Sequence, residues 1–428
     1  MISPHLLLLF FVQVGALLLL ALLLGRLAVR LGLAAVVGEL CAGVILGPSL
    51  LGQVAPGAEQ WLFPAPSSHM LDAVGQLGVL LLIGLTGAHL DLRLIRRQGA
   101  TAARVSAFGL FIPMALGIGA GLVLPAEFRG TGGPAVFALF LGVAMCVSAI
   151  PVIAKTLMDM NLLHRNVSQL TLTAGMIDDA FGWVLLSVVT AMATAGAGAG
   201  TVVLSITSLT GVIVFAVVIG RPAVRVAVRT TEDPGVIAGR VVVLVLAASA
   251  GTHALGLEPA FGAFVAGLLV STAMPDPARL APLRTVTLGV LAPVYFATMG
   301  LRVDLTALAR PEVLALGLLI LALAIIGKFL GAFLGAWTSG LSRWEALALG
   351  AGMNARGVIQ MIVATVGLRL GVIDAEVFTI IIVVAVVTSL LAPPLLRLAM
   401  TRIEATAEEE ARLLTYGLRY SGAGDDVR

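Results

Sequence analysis

The sequence predicts an all-α membrane protein with about thirteen transmembrane helices. Of its 428 residues, 59% are hydrophobic and only 11% are charged, and the mean hydropathy is +1.08. A soluble protein needs more charge than this to cover its surface. Apolar stretches of about 20 residues, the length that crosses a bilayer, recur along the whole chain. These observations exclude a soluble globular domain.

The first apolar run follows no positively charged segment and is long enough to span, so it is predicted to be a helix and not a cleaved signal. The remaining spans are recognised by length and hydropathy. The thirteen predicted spans are 5–25, 32–48, 73–92, 101–124, 134–157, 167–192, 200–220, 237–255, 259–273, 286–301, 311–337, 344–367 and 374–398.

The placement of basic residues predicts the orientation of these spans. Most of the 26 lysines and arginines fall in the loops after odd-numbered spans or in the C-terminal tail. Basic residues concentrate on the cytoplasmic side of membranes, so we expect an inner-membrane protein with its N-terminus outside and its C-terminus inside. The pI of about 9.2 has the same origin, and no nucleic-acid partner is expected.

Two pairs of segments indicate an internal repeat. LGVLLLIGLTGAHLDL (77–92) resembles LGVLAPVYFATMGLRVDL (288–305), and VGELCAGVILG (37–47) resembles FGAFVAGLLVS (261–271). They pair span 3 with span 10 and span 2 with span 9, an offset of seven. Because seven is odd, the halves have opposite orientations, as in many secondary transporters. Their shared glycines are expected to allow close helix packing.

The same offset pairs spans 5 and 12, and both are interrupted. Span 5 contains Ser148 and Pro151, and span 12 contains Asn354 and Arg356 beside several glycines. Interrupted segments at matching positions of two halves point to the binding site of a transporter. Asp91 and Asp304, which follow spans 3 and 10, are expected to cap the next segments.

Ionisable residues lie inside the predicted membrane region. Asp178 and Asp179 fall in span 6 and Lys328 in span 11, while Glu258 lies near the end of a span. One aspartate and one lysine would make a structural ion pair, but a second, adjacent aspartate points about 100° away. One aspartate can therefore face Lys328 while the other faces a cavity. A buried carboxylate of this kind can hold either a proton or a small cation.

Five segments carry a family resemblance. They are CVSAIPVIAKTL (146–157), MIDDAFGWVLL (176–186), APVYFATMGLRVDL (292–305), GKFLG (327–331) and GMNARGVIQMIV (352–363). Together they resemble the monovalent cation/proton antiporter superfamily, specifically its Kef/CHX-like branch. The resemblance implies the sodium/proton antiporter fold, with inverted repeats, two discontinuous crossing helices and a dimerising scaffold.

The resemblance also implies roles and a division of the chain. Asp179 would carry the cation or proton, Asp178 would pair with Lys328, and the doublet with the lysine is typical of electrogenic members. Ser148, Pro151, Asn354 and Arg356 would belong to the discontinuous-helix site. The implied parts are a scaffold (1–98 and 236–310), a transport core (99–192 and 311–398), a linker helix (193–235) and a short tail (399–428).

The predicted function is therefore exchange of Na⁺ or K⁺ for protons. No enzymatic activity or resident cofactor is expected, and GKFLG lacks the earlier glycine and following Ser or Thr of a phosphate loop. The tail after about residue 399 is expected to be too short for a nucleotide-binding regulatory domain. Two alternatives stay open: a non-transporting receptor or assembly factor on the same scaffold, and an exporter of an organic or ionophore-bound cation.

Overall fold

The computed structural model describes residues 4–31, 33–88, 92–130, 132–195, 199–230, 232–274 and 277–410, and in these ranges it is helical almost throughout. The helices of the first half are α1 (Pro4–Arg30), α2 (Ala35–Leu46), α3 (Leu51–Val54), α4 (Pro56–Leu62), α5 (Ala65–Ala88), α6 (Leu92–Val123), α7 (Gly133–Cys146), α8 (Ile150–Asp159) and α9 (Asn166–Ala195).

The second half begins with a long helix that contains one π-helical turn. The helices are α10 (Ala199–Phe215), α11 (Arg221–Arg229), α12 (Pro234–Ala254), α13 (Pro259–Ala273), α14 (Ala281–Val286), α15 (Ala292–Gly300), α16 (Pro311–Trp337), α17 (Arg343–Met353), α18 (Val358–Arg369) and α19 (Ala375–Met400). Single π-helical turns at 216–220 and 287–291 join α10 to α11 and α14 to α15.

Ten helices in the described ranges are long and apolar enough to cross a membrane, or eleven if α17 and α18 form one broken span. Two further apolar helices, α7 and α13, are shorter and fall on predicted spans 5 and 9. The all-helical membrane fold is confirmed, whereas the number of thirteen spans stays a prediction. The predicted cap is confirmed at Asp304, which accepts from Thr306 N at 3.0 Å. Asp91 and the tail beyond residue 410 lie outside the described residues.

The internal repeat reappears as two equivalent helix contacts. A methyl group added at Gly43 of α2 would lie 1.9 Å from the carbonyl oxygen of Ala297 in α15. One added at Gly267 of α13 would lie 2.0 Å from the carbonyl oxygen of Gly84 in α5. In the aligned repeats, Gly43 corresponds to Gly267 and Gly84 to Ala297. Both contacts therefore join the same repeat positions, and the predicted close packing at glycine is confirmed.

Glycines also bring α16 against α6. Gly327, Gly331 and Gly335 recur every four residues and so line one face of α16. A methyl group at Gly331 would lie 2.4 Å from the carbonyl oxygen of Phe108, and one at Gly335 would lie 2.6 Å from Val105 Cα. The backbones of α6 and α16 thus touch, and the side chain of Lys328 enters the protein beside this contact.

The segment after α19 folds back onto the start of α9. Arg165 Nε lies 3.2 Å from Glu409 Oε2, and Glu409 Oε1 accepts from the backbone N–H of Asn166 at 2.5 Å. Burial alone would raise the pKa of Glu409, but backbone N–H groups and Arg165 hold the pKa below its usual value. The carboxylate sits at the positive end of α9, which favours its charged form.

Candidate ion-binding site

Both interrupted spans are broken in the structure, and their breaks cross. α7 ends at Cys146 and α8 begins at Ile150; α17 ends at Met353 and α18 begins at Val358. Ala149 N donates to Ala355 O at 3.3 Å, which joins the two breaks directly. Pro151 is the second residue of α8, a position where its missing N–H has no helical partner to lose. The predicted discontinuous crossing helices are confirmed.

Asp178 lies at this crossing with three donors around its carboxylate. Ser106 Oγ of α6 donates to Oδ1 at 2.6 Å, and Lys328 Nζ of α16 forms an ion pair with Oδ2. Ser148 Oγ lies 3.0 Å from Oδ2 and 3.1 Å from Met353 O. Its single hydroxyl hydrogen can serve only one of these acceptors at a time. Both Asp178 and Lys328 are fully buried, so the expected pairing of Asp178 with Lys328 is present.

Lys328 uses two backbone carbonyls besides its aspartate. Its Nζ donates to Cys146 O at 2.6 Å and to Gly109 O at 2.9 Å. Cys146 is the last residue of α7, where carbonyls lack helical partners and the helix dipole is negative. All three ammonium hydrogens therefore have an acceptor.

Asp179 lies in a different environment from its neighbour. It is fully buried, and neither Oδ1 nor Oδ2 has a hydrogen-bond partner among the described residues. One turn before it, Gly175 packs on Ile150 of α8. One turn after it, Trp183 lies beside Phe264 of α13, with ring centroids 6.4 Å apart and the ring planes tilted by 39°. The Asp179 side chain therefore faces the region between the start of α8 and α13.

Arg356 and Asn354 occupy the break in span 12. The Arg356 guanidinium is fully buried and donates to Ala324 O at 2.9 Å and to Ala144 O at 3.3 Å. Ser389 Oγ donates to the carbonyl of Arg356. Both amide atoms of Asn354 are buried without a partner among the described residues. The site thus combines two positively charged side chains that donate to carbonyls with an amide and a carboxylate that have no hydrogen-bond partner in the described part of the chain.

Two contributors were missed from the sequence. Ser106 is an ordinary serine in a membrane helix, where such a hydroxyl usually bonds its own backbone. Gly109 contributes only its carbonyl oxygen, and the role of a backbone carbonyl cannot be predicted from the residue type. Glu258 was expected near a span end. It is buried, and Arg369 Nη2 donates to its two carboxylate oxygens at 3.0 and 2.9 Å while Thr190 Oγ1 donates at 3.3 Å.

The fold and the family are known from comparison. A sodium proton antiporter from Methanocaldococcus jannaschii, MjNhaP1, matches 92% of this chain and 99% of its own with a TM-score of 0.70 at 19% identity, which shows the fold. Residues 15–401 match the transmembrane sodium/hydrogen exchanger family. The chain belongs to this family of monovalent cation/proton antiporters.

Relatives of this exchanger come from bacteria, plants and yeast. Na(+)/H(+) antiporter NhaS4 of Synechocystis is 31% identical over 88% of this chain and 93% of its own length. Cation/H(+) antiporter 20 of Arabidopsis thaliana is 32% identical over 84% of this chain, and K(+)/H(+) antiporter 1 of Saccharomyces cerevisiae is 30% identical over 85%. The chain spans less than half of these plant and yeast relatives, at 44% and 43% of their lengths.

Proposed function

We propose that this membrane exchanger moves Na⁺ or K⁺ against protons, with Asp179 as the carrier of either ion. The observation that supports this most strongly is the contrast between adjacent carboxylates. Asp178 has three donors, whereas Asp179 has none among the described residues. A bare carboxylate in a buried site is unstable without a bound proton or cation. Binding of one then requires release of the other.

Oxygen ligands suit a hard monovalent cation. The two carboxylate oxygens of Asp179 supply charge, and the amide oxygen of Asn354 is a further oxygen in the crossing that no described donor engages. The unwound backbone between α7 and α8, and between α17 and α18, adds carbonyls to the same region.

Electrogenic exchange needs a second proton. If Asp179 exchanges one proton for one monovalent cation, equal charge moves in each direction and the cycle moves no net charge. Lys328 is the candidate for the second proton, since lysine, unlike arginine, can give up its proton in a buried site. Release would accompany separation from Asp178. Such net charge movement responds to voltage by about 2.3 kcal/mol per charge per 100 mV.

Alternating access would move a transport core past a scaffold. In this division the core contains residues 99–192 and 311–398, the scaffold contains 1–98 and 236–310, and 193–235 links them. We further propose a homodimer joined through the scaffold in the inner membrane, with the N-terminus outside. The proposed function is transport and includes no enzymatic activity.

The test is Asp179→Asn in proteoliposomes carrying an imposed pH or cation gradient. We expect no exchange with Na⁺ or K⁺, because an amide binds neither a proton nor a cation as a carboxylate does. Glu312→Gln, an exposed position on α16, is the control and keeps full exchange. A melting temperature near wild type for Asp179→Asn excludes misfolding. Retained exchange in Asp179→Asn would overturn the carrier role. If the wild-type protein transported organic cations but neither Na⁺ nor K⁺, the function would instead be export of organic cations.

A further inference from the structure

Pro113 interrupts the backbone hydrogen bonding of α6. Proline has no backbone N–H, so within a helix it leaves the carbonyl four residues earlier without its usual donor. In α6 that carbonyl belongs to Gly109. Gly109 O accepts instead from Lys328 Nζ at 2.9 Å. The proline therefore explains why a carbonyl in the middle of a helix is available to a buried ammonium.

The packing of α16 places the lysine within reach of that carbonyl. A methyl group added at Gly327, the neighbour of Lys328, would lie 3.0 Å from Pro113 Cα. One added at Gly331 would lie 2.4 Å from the carbonyl oxygen of Phe108. The absence of side chains at these two positions lets the helix axes approach.

The preceding turn of α6 contacts the other member of the ion pair, Asp178. Ser106 Oγ donates to Asp178 Oδ1 at 2.6 Å, one turn before Gly109. α6 thus offers a hydroxyl to the carboxylate and a carbonyl to the ammonium, independently of the bond between them. Each partner keeps a contact with α6 if the pair separates.

We propose that Pro113 is a positioning residue: it frees the Gly109 carbonyl to hold the Lys328 ammonium and so changes the pH dependence of exchange. The inference rests on the proposed function, in which Lys328 takes part in proton release. The titratable groups that act on this cluster are Asp178 and Asp179 of α9, Cys146 of α7, and Arg356 at the break of span 12. None of them lies on α6, so a change at Pro113 acts through the backbone carbonyl.

The test measures exchange against pH for Pro113→Ala in proteoliposomes. Alanine restores the N–H, so that Gly109 O also accepts from the helix and its hydrogen bond from Lys328 becomes weaker. We expect the half-maximal pH to move down by roughly one unit, the effect of about one hydrogen bond. Pro113→Gly restores the same N–H and should lower the half-maximal pH by the same amount. Pro394→Ala, on an exposed part of α19, is the matched control and leaves the profile unchanged.

A double-variant cycle with Lys328→Gln separates the possible outcomes. If Pro113 acts through Lys328, Pro113→Ala has no further effect on the profile once the lysine is gone. An unchanged profile in folded Pro113→Ala, or an equal shift in both backgrounds, overturns the inference and leaves the proposed function intact. A wild-type profile and voltage response in Lys328→Gln removes the coupling role of the lysine, and this inference with it.

Discussion

Adjacent aspartates acquire different properties because neighbouring helical side chains face different surroundings. Asp178 points toward α6 and α16, where Ser106 and Lys328 satisfy its oxygens. Asp179 points toward the start of α8 and α13 and has no donor among the described residues. One residue is therefore suited to a fixed ion pair and the other to an exchangeable ion.

The hydroxyl of Ser106 should be measurable as a stabilising contact. Ser106→Ala removes the one donor to Asp178 Oδ1 among the described residues, and leaving a buried carboxylate oxygen unpaired costs about 1–3 kcal/mol. We expect a lower melting temperature for the purified variant in detergent. Ser187→Ala on α9 is the matched control, because the buried Ser187 hydroxyl has no partner among the described residues. Equal melting temperatures for both variants would contradict the assignment.

The sequence predicted the charged residues of the site and Ser148, but not the two partners on α6. Asp178, Asp179 and Lys328 stand out because charge is costly in lipid. Ser106 and the carbonyl of Gly109 do not, since a serine or a glycine is unremarkable in a membrane helix. Their importance arises only from the contact between α6 and α16.

At the scale of helices, two broken spans create the polar centre. The last carbonyls of α7 have no helical partners and accept from Lys328 and Arg356, so unpaired backbone groups become cation ligands. The interruption of spans 5 and 12 was predictable from Pro151 and the glycines near Asn354. The bounds of the helices were less predictable. The stretch that falls on the predicted span 32–48 runs from Ala35 to Val54 and is divided into α2 and α3.

The repeat predicts equal sensitivity at equivalent glycines. Gly43→Ala and Gly267→Ala would each press a methyl group onto a backbone oxygen, at 1.9 and 2.0 Å before relaxation. We expect each to lower stability by about 1–3 kcal/mol or to prevent folding. Gly239→Ala on α12 is the control, since open space surrounds that position. Unfolding followed by heating in detergent checks this, and a tolerant Gly267→Ala beside a damaging Gly43→Ala would contradict the equivalence.

At the scale of the whole molecule, an ion pair between the buried Glu258 and the exposed Arg369 bridges the proposed core and scaffold. Glu258 precedes α13 of the scaffold, whereas Arg369 and Thr190 belong to the core helices α18 and α9. Movement of the core past the scaffold would have to break this contact in every cycle. The sequence indicated Glu258 only as a residue near a span end, because the bridge depends on how distant helices pack.

Loss of this ion pair should change the rate of the transport cycle more than it changes the affinity for the cation. Thr190, which Glu258 contacts, lies about 16 Å along α9 from Asp179, so the ion pair is remote from the proposed carrier. We therefore expect Glu258→Gln to alter the maximal exchange rate several-fold and to leave the half-saturating cation concentration nearly unchanged. Asp72→Asn is the matched control: it removes the ion pair with Arg302 (2.5 Å), which lies within the proposed scaffold. The same rate change in both variants, or none in Glu258→Gln, would contradict a bridging role.

The central claim is that a proton and a cation compete for Asp179. Its most direct test is proton release from the purified protein in weakly buffered detergent when Na⁺ or K⁺ is added. We expect saturable release from the wild type and from Glu312→Gln, and none from folded Asp179→Asn. Undiminished release from Asp179→Asn would contradict the claim.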